Sequence, residues 1–242
     1  MATDAALLWA VESGAAPPTV RVYEWDGLWL SLGRFQTAER GVRVDKCRQL
    51  GVRLVRRPTG GRGVLHGSDV TVTLCAPYAA LGDGGGSVAS LYRWCNEALV
   101  NGLCQLLPTV EVGGVRYAGR GGDCFATATS ADLCVGGAKL LGSAQRRGQV
   151  AALVQMSLVW RRPLVDPAAL FCDAAGGRYP LSDVPREVII GSLVQGIGAS
   201  VGASLVEGGV TARERSWADA EEAAGAFLPD GPPARFDSGA GL

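Results

Sequence analysis

The residues that could do chemistry in this chain stand on a few short stretches. Lys139 lies in Gly136-Gly137-Ala138-Lys139-Leu140-Leu141-Gly142-Ser143-Ala144-Gln145-Arg146-Arg147, among leucines and small residues. A lysine is rarely buried without a partner. It is therefore either a surface strand lysine or a group facing a ligand, and Gly142, Ser143 and Ala144 would let that ligand come close to the backbone. A second stretch is Arg56-Arg57-Pro58-Thr59-Gly60-Gly61-Arg62-Gly63-Val64-Leu65-His66. The backbone amides of Gly60, Gly61 and Gly63 with three arginines around them could cradle a carboxylate or phosphate. No Gly-Lys-Ser/Thr follows, so it is not a Walker A loop. His66, the only histidine, is either a structural hydrogen-bonder or a catalyst. Cys124 sits in Asp123-Cys124-Phe125, after the glycine-rich segment 119–122.

The elements that must position these groups follow from pattern. Leu133 to Val135 reads as a short strand, Gly136-Gly137 as a tight hairpin turn and Lys139 to Arg146 as the return strand. Gly148 turns the chain again, and Val150 to Trp160 is apolar enough to be buried on both faces. Upstream, Thr3 or Asp4 can cap a helix to Glu12. Asp26-Gly27 predicts a hairpin between Thr19–Trp25 and Leu28–Leu32. A short helix (44–50) and a strand (52–56) precede the glycine loop, and Asp69 to Leu74 alternates as a half-buried strand. Ser87 caps a long helix to Leu107, with Leu91, Trp94, Cys95, Ala98, Leu99 and Leu103 as its apolar stripe. Val110–Val112 and Val115–Tyr117 suggest a further hairpin. Helices are expected from Asp166 to Cys172, Arg186 to Ala199 and Ser216 to Phe227. Strands in hairpins with helices between them indicate an α+β fold: a single domain, residues 1–227, with a mixed, largely antiparallel sheet flanked by helices. Residues 228–242 read as a disordered tail.

Composition narrows the function classes. The 242 residues are 48% hydrophobic and carry 23 basic and 23 acidic side chains, so nothing suggests a general binder of nucleic acid or anionic membrane. No apolar run is long enough to span a bilayer, and the N-terminus lacks a signal pattern. Seven cysteines without a CxxC pair argue against a disulfide framework or a structural zinc, and a reduced cytoplasm is expected, with no metal site.

The two stretches, taken with the opening Val20-Arg21-Val22-Tyr23-Glu24-Trp25 and Ser31-Leu32-Gly33-Arg34-Phe35-Gln36, resemble a known family. The glycine loop looks like the RRxxGGxxVxH loop of the lipoate–protein ligase and octanoyltransferase family. The lysine strand is similar to that family's G-x-K-x-x-GSAQ-x-R strand. The motifs cover about residues 3 to 160 in the family's order. The resemblance implies a mixed sheet flanked by helices, shared with biotin protein ligases, and a tunnel for a medium-length acyl chain. It implies that Lys139 contacts the acyl carbonyl. It also implies that the glycine loop, with Arg56, Arg57, Gly60, Gly61 and His66, and the strand residues Gly142, Ser143 and Ala144 line the substrate pocket. The expected acceptor is a lysine on a lipoyl-carrier domain or a glycine-cleavage H protein.

Two reactions fit that resemblance. Cys124 resembles the Cys-Phe of a transferase branch in which the thiol takes octanoate from acyl carrier protein as a thioester. A Lys139 ammonium beside it would favour the thiolate and polarise the carbonyl. That reading needs no cofactor. In the alternative, ATP and magnesium activate lipoate as an adenylate. The short C-terminal remainder leaves no room for the accessory domain of many ligases, which favours the transferase. A non-catalytic acyl-binding paralogue is the third class. The chain departs from the family at Gln155-Met156-Ser157, where Gln-His-Gly-Ser is usual, and at Gly67, where an aspartate often follows the histidine. The other six cysteines read as structural.

Overall fold

Long strands rich in Val, Leu and Ala build the platform of this protein, seen here in a computed structural model that describes residues 1–38, 41–114, 121–174, 179–229 and 231. Among them the strands are β1 (Thr19–Tyr23), β2 (Trp29–Leu32), β3 (Arg53–Arg56), β4 (Val64–His66), β5 (Asp69–Pro77), β6 (Val110–Val112), β7 (Leu133–Val135), β8 (Ala138–Arg147) and β9 (Ala151–Val159). The helices are α1 (Ala2–Glu12), α2 (Val44–Gln49), α3 (Val88–Leu103), α4 (Pro167–Leu170), α5 (Arg186–Val201) and α6 (Ala212–Ala223). A six-stranded sheet runs β1-β5-β9-β8-β7-β6, antiparallel at every step. A small mixed sheet runs β3-β2-β4, with β2 parallel to β3 and antiparallel to β4. This is the α+β fold with a mixed, largely antiparallel sheet flanked by helices that the pattern predicts.

The period of two along β5 and β9 decides what covers each face. Val70, Val72, Leu74, Ala152, Val154 and Leu158 pack under α3 and α5 with Leu91, Leu99, Leu103, Ile189 and Leu193. Cys75, Ala151 and Leu153 face Leu7, Leu8 and Val11 of α1, and α1 packs in turn on α6. The main sheet is thus covered on both sides. The hairpin through Gly136 and Gly137 forms as expected: both have positive φ (53° and 76°), which a primed two-residue turn requires, and Val135 pairs with Ala138.

Several local expectations are corrected. Asp26-Gly27 turns the chain, but β1 pairs with β5 and β2 joins the small sheet, so no hairpin forms. The dipeptide specifies a turn, whereas partner choice is made by the apolar faces on either side. Asp4 does not cap α1; Met1 is the N-cap residue, and Asp4 is fully buried, accepting from Arg21, Tyr23, Thr73 and Gln155. β5 is not half-buried: eight of its nine residues are buried, Thr71 and Thr73 included, because α1 and the Asp4 network cover its polar face. The helix after Asp166 ends at Leu170, and α6 begins at Ala212 behind a Thr211–Glu214 capping box. The strand expected at 115–117, the segment 119–120 and most of 228–242 lie outside the described residues.

Candidate active site

The glycine loop packs against β2 and folds largely on its own carbonyls. Arg57 is buried and donates through Nε and Nη2 to Gly60 O (3.1 and 2.7 Å), through Nη2 to Arg62 O (2.7 Å), and through Nη1 to Ser31 O and Oγ (3.0 and 3.2 Å). Five contacts match the five N–H groups of a guanidinium, so Arg57 holds the loop rather than an anion. Arg56 likewise donates to the carbonyls of Gly33 and Gln36 (2.9 and 2.8 Å). Arg62 bridges Thr127 (2.7 Å) and Asp173 (3.4 Å). The three-arginine anion cradle is therefore corrected: Arg56 and Arg57 satisfy backbone carbonyls, and Arg62 is held by the side chains of Thr127 and Asp173. Gly61 adopts φ +92°, and a Cβ there would meet Arg57 Nη2 at 2.8 Å.

His66 is buried in a chain of polar contacts. Its Nδ1 lies 2.7 Å from Asp69 Oδ2, its Nε2 2.8 Å from Ser31 Oγ, and its ring stacks on Trp25 at 4.0 Å. Asp69 also accepts from Ser157 Oγ (2.7 Å), Thr71 Oγ1 (3.1 Å) and Gly67 N (3.2 Å). Burial opposes the charge on Asp69, but His66 and these donors outweigh it and hold the carboxyl below its ordinary value. Asp69, three residues after the lone histidine, supplies the acid that Gly67 lacks, and Gly67 itself needs its positive φ of 112°.

Cys124 is tied to the glycine loop by a short parallel bridge: Cys124 N donates to Gly63 O and Gly63 N to Gly122 O, both at 2.8 Å. Asp123 caps the tight turn Cys124–Ala126 by accepting from Phe125 N (2.8 Å). Burial pushes the Asp123 carboxyl up to about 6, a rise that the Phe125 N–H only partly offsets. Asp173 in turn accepts from the amides of Gly122 and Asp123 (2.8 and 3.1 Å).

From β8, Lys139 reaches across Gly142 to this turn. Its Nζ lies 3.0 Å from Cys124 O, 3.5 Å from Cys124 Sγ and 3.0 Å from Asp132 Oδ1, with the Phe125 ring centroid at 5.2 Å. A Cβ on Gly142 would come within 2.8 Å of Lys139 Cε, so the side chain needs that glycine. Burial lowers the pKa of Lys139, but the Cys124 thiolate and Asp132 raise it by more, and the net direction is up. Asp132, buried at 2% exposure, escaped the reading of the sequence. Its signal was present: it is the sole carboxylate between Cys124 and Lys139 in the chain, and a buried lysine needs one.

A small cleft of about 30 Å³ lies among these groups. Cys124, Arg57, His66, Gly142, Ser143 and Ala144 line it, with Ser31, Val64, Thr71, Gln155, Met156 and Ser157. Arg56, Gly60, Gly61 and Lys139 are not among the lining residues, and Lys139 meets the cleft through its contact with Cys124. Met156 places a thioether here and Gln155 bonds Thr59 and Asp4 (2.7 and 2.6 Å), tying the loop to the sheet. The seven cysteines are free thiols, Cys47, Cys75, Cys95 and Cys134 being buried. Among the described residues no cluster of His, Cys, Asp or Glu could hold a metal ion, and no helix is long and apolar enough to cross a membrane.

The profile of the lipoyl protein ligase A/B catalytic domain matches residues 1–171. An octanoyltransferase LipM of Kyrpidia tusciae is 34% identical over 90% of this chain and 88% of its own length. One from Moorella thermoacetica is 37% identical over 66% of this chain, and the match spans 59% of that relative. Among solved structures, a lipoate-protein ligase A bound with ATP superposes with a TM-score of 0.78 at 24% identity, covering 91% of this chain and 87% of that one. The bipartite lipoate protein ligase of Thermoplasma acidophilum, described with its E2 lipoyl domain, gives 0.68 at 20%, covering 90% and 86%. At these identities the structural likeness shows the fold.

Proposed function

This chain belongs to the lipoyl protein ligase A/B catalytic domain family and is an octanoyltransferase, and we propose that it moves the octanoyl group from acyl carrier protein through a Cys124 thioester to a lysine of a lipoyl-carrier domain or H protein. The observation that carries the reading is Lys139 Nζ 3.5 Å from Cys124 Sγ at the end of an open cleft. The Cys124 thiolate is the nucleophile, with the Lys139 ammonium beside it as its counter-cation. The thiolate attacks the donor thioester carbon. The developing oxyanion falls within reach of Lys139, and the carrier thiolate departs and takes a proton from solvent. The neutral acceptor amine then attacks the Cys124 thioester, the C–N bond forms as the C–S bond breaks, the amine's proton passes to solvent and the Cys124 thiolate is released. The energy of the amide bond comes from the thioester, so the reaction needs neither ATP nor magnesium.

The octanoyl tail lies along Val64, Ala144 and Met156. Burying seven apolar carbons contributes roughly 5–6 kcal/mol at ~0.8 kcal/mol each. Tail binding thereby leaves the polar groups to act on the carbonyl. A lipoyl domain is the partner of a structural neighbour, which supports a carrier of that kind as acceptor here.

Intact-mass measurement after mixing with octanoyl acyl carrier protein tests the proposal. One octanoyl unit should appear on the Cys124 peptide without ATP, and hydroxylamine should remove it. Product that forms only with ATP, in a Cys124→Ser protein as well, would replace the thioester route with the adenylate route. Tight octanoyl binding without adduct or product would make the chain a non-catalytic binder.

A further inference from the structure

Lys46 and Lys139 are the only lysines in the 242-residue chain. Lys46 is exposed on α2 and donates to Gln49. Lys139 is buried, and three acceptors surround its Nζ: Asp132 Oδ1, Cys124 O and Cys124 Sγ. An ammonium offers three N–H groups to three acceptors. A neutral amine beside a thiol could meet the same three partners, with Sγ–H donating to its lone pair, so the charge is decided by the buried Asp132 carboxylate at 3.0 Å, which would otherwise lack a counter-cation. We infer that Asp132 is a positioning residue that holds Lys139 as an ammonium aimed at Cys124, so that Lys139 serves as a fixed cation and not as the acceptor of the thiol proton. The consequence for transfer rests on the proposed function; the state of Lys139 does not.

Asp132 is built to stay in place. Its Oδ2 accepts from Thr129 N and Oγ1 (2.8 and 2.9 Å), and its Oδ1 accepts from Ser143 N (3.3 Å) as well as from Lys139. The carboxylate thereby joins the turn before β7 to the Gly142–Ala144 segment of β8. The other groups with charge to bring to Lys139 are the Cys124 thiolate, Asp123 from the capped turn and Cys134 from β7, while Arg57 acts on Cys124 from the glycine loop. Arg57 apart, these groups are all acids, so each, when ionised, stabilises the Lys139 charge. In the acylation step the thiol proton leaves to solvent through the cleft. The C–S bond to Cys124 forms as the donor C–S bond breaks, the departing thiolate takes its proton from solvent, and Lys139 keeps three protons throughout.

Two lysines make the test direct. Protein labelled with ¹³Cε-lysine gives two signals, with exposed Lys46 as the internal reference. In the wild type the Lys139 signal should keep its ammonium shift while the ultraviolet absorbance of the Cys124 thiolate rises, with Cys124→Ser as the blank. In Asp132→Asn, which keeps a carbonyl acceptor for Thr129 N, Lys139 should titrate at lower pH than in the wild type. Octanoyl transfer should fall at least about tenfold, with its alkaline limb moved to lower pH, and Asp132→Glu should recover part of both. An unmoved Lys139 titration in a folded Asp132→Asn protein would overturn the inference. So would a wild-type Lys139 signal that turns neutral as the thiolate appears, an outcome readable even where the variant fails to fold. Absence of an octanoyl adduct in the wild type would sink the transfer reading alone, since the lysine titration needs no substrate.

Discussion

Two buried polar clusters border the same cleft, and the proposed function assigns the reaction to one of them. Around His66 stand a serine, a histidine and an aspartate at 2.8 and 2.7 Å, the residue types of a hydrolytic triad. Yet Ser31 Oγ also faces Arg57 at 3.2 Å and is wholly buried, and Asp69 collects four donors. Its partners are all internal, so the cluster works as a brace under the glycine loop. Around Lys139 the third contact is a long 3.5 Å approach to a thiol that lines the cleft. That contact is the one a substrate carbonyl can replace. The lesson is that residue types in triad order do not make a site; a group whose best partner is still to arrive does.

The sharpest way to break this contrast is to remove each candidate nucleophile. Cys124→Ser should lower octanoyl transfer at least about a thousandfold and abolish the thioester adduct. Ser31→Ala should retain the adduct at Cys124. An octanoyl group found on Ser31, resistant to hydroxylamine, would exchange the roles of the two clusters.

His66→Ala should cost about 3–5 kcal/mol in urea melts, because the Asp69 carboxylate would be buried without its imidazole partner. Asp69 is depressed below its unfolded value of about 3.9, so its contribution is present above that pH and is lost as pH falls through its lower folded value. The acid side of the wild-type stability curve should carry that slope, and Asp69→Asn should flatten it. A fully stable His66→Ala protein that has lost adduct formation would turn the brace into part of the chemistry.

Gly61→Val should cost about 1–3 kcal/mol, since a branched residue resists φ of +92° and its Cβ would press on Arg57. Calorimetry with an octanoyl analogue should show weaker binding as the wall of the cleft shifts. Unchanged affinity would make the loop a turn without bearing on the tail.

The smallest effect is expected at Asp123. Its pKa, raised to about 6, favours the folded protein at low pH, and that contribution is lost as pH rises through about 6. Asp123→Asn keeps an acceptor for Phe125 N and removes the buried charge. It should stabilise the protein above that pH, by an amount that falls to nothing below about 4. Equal melting curves for the two proteins across this range would show that Asp123 carries no such penalty.

What the sequence determined by itself was local. Gly136-Gly137 specified a hairpin because two successive positive φ angles are cheap only for glycine, and the apolar run 151–159 specified a buried strand. The motifs around Arg57, His66 and Lys139 were enough to name the family and to place Cys124 and Lys139 together. Tertiary structure decided everything that depends on what a side chain meets from a distant element. Asp26-Gly27 looked like a hairpin until β1 found β5. Asp4 looked like a helix cap until Arg21, Thr73 and Gln155 closed over it. The arginines of the glycine loop looked like an anion cradle until Arg56 and Arg57 met backbone carbonyls and Arg62 met Thr127 and Asp173, and Asp132 was marked in the sequence only as the sole carboxylate between Cys124 and Lys139. Turn preferences are set by one or two residues and their neighbours. The partner of a buried charge is set by desolvation, which exists only once the whole core has formed.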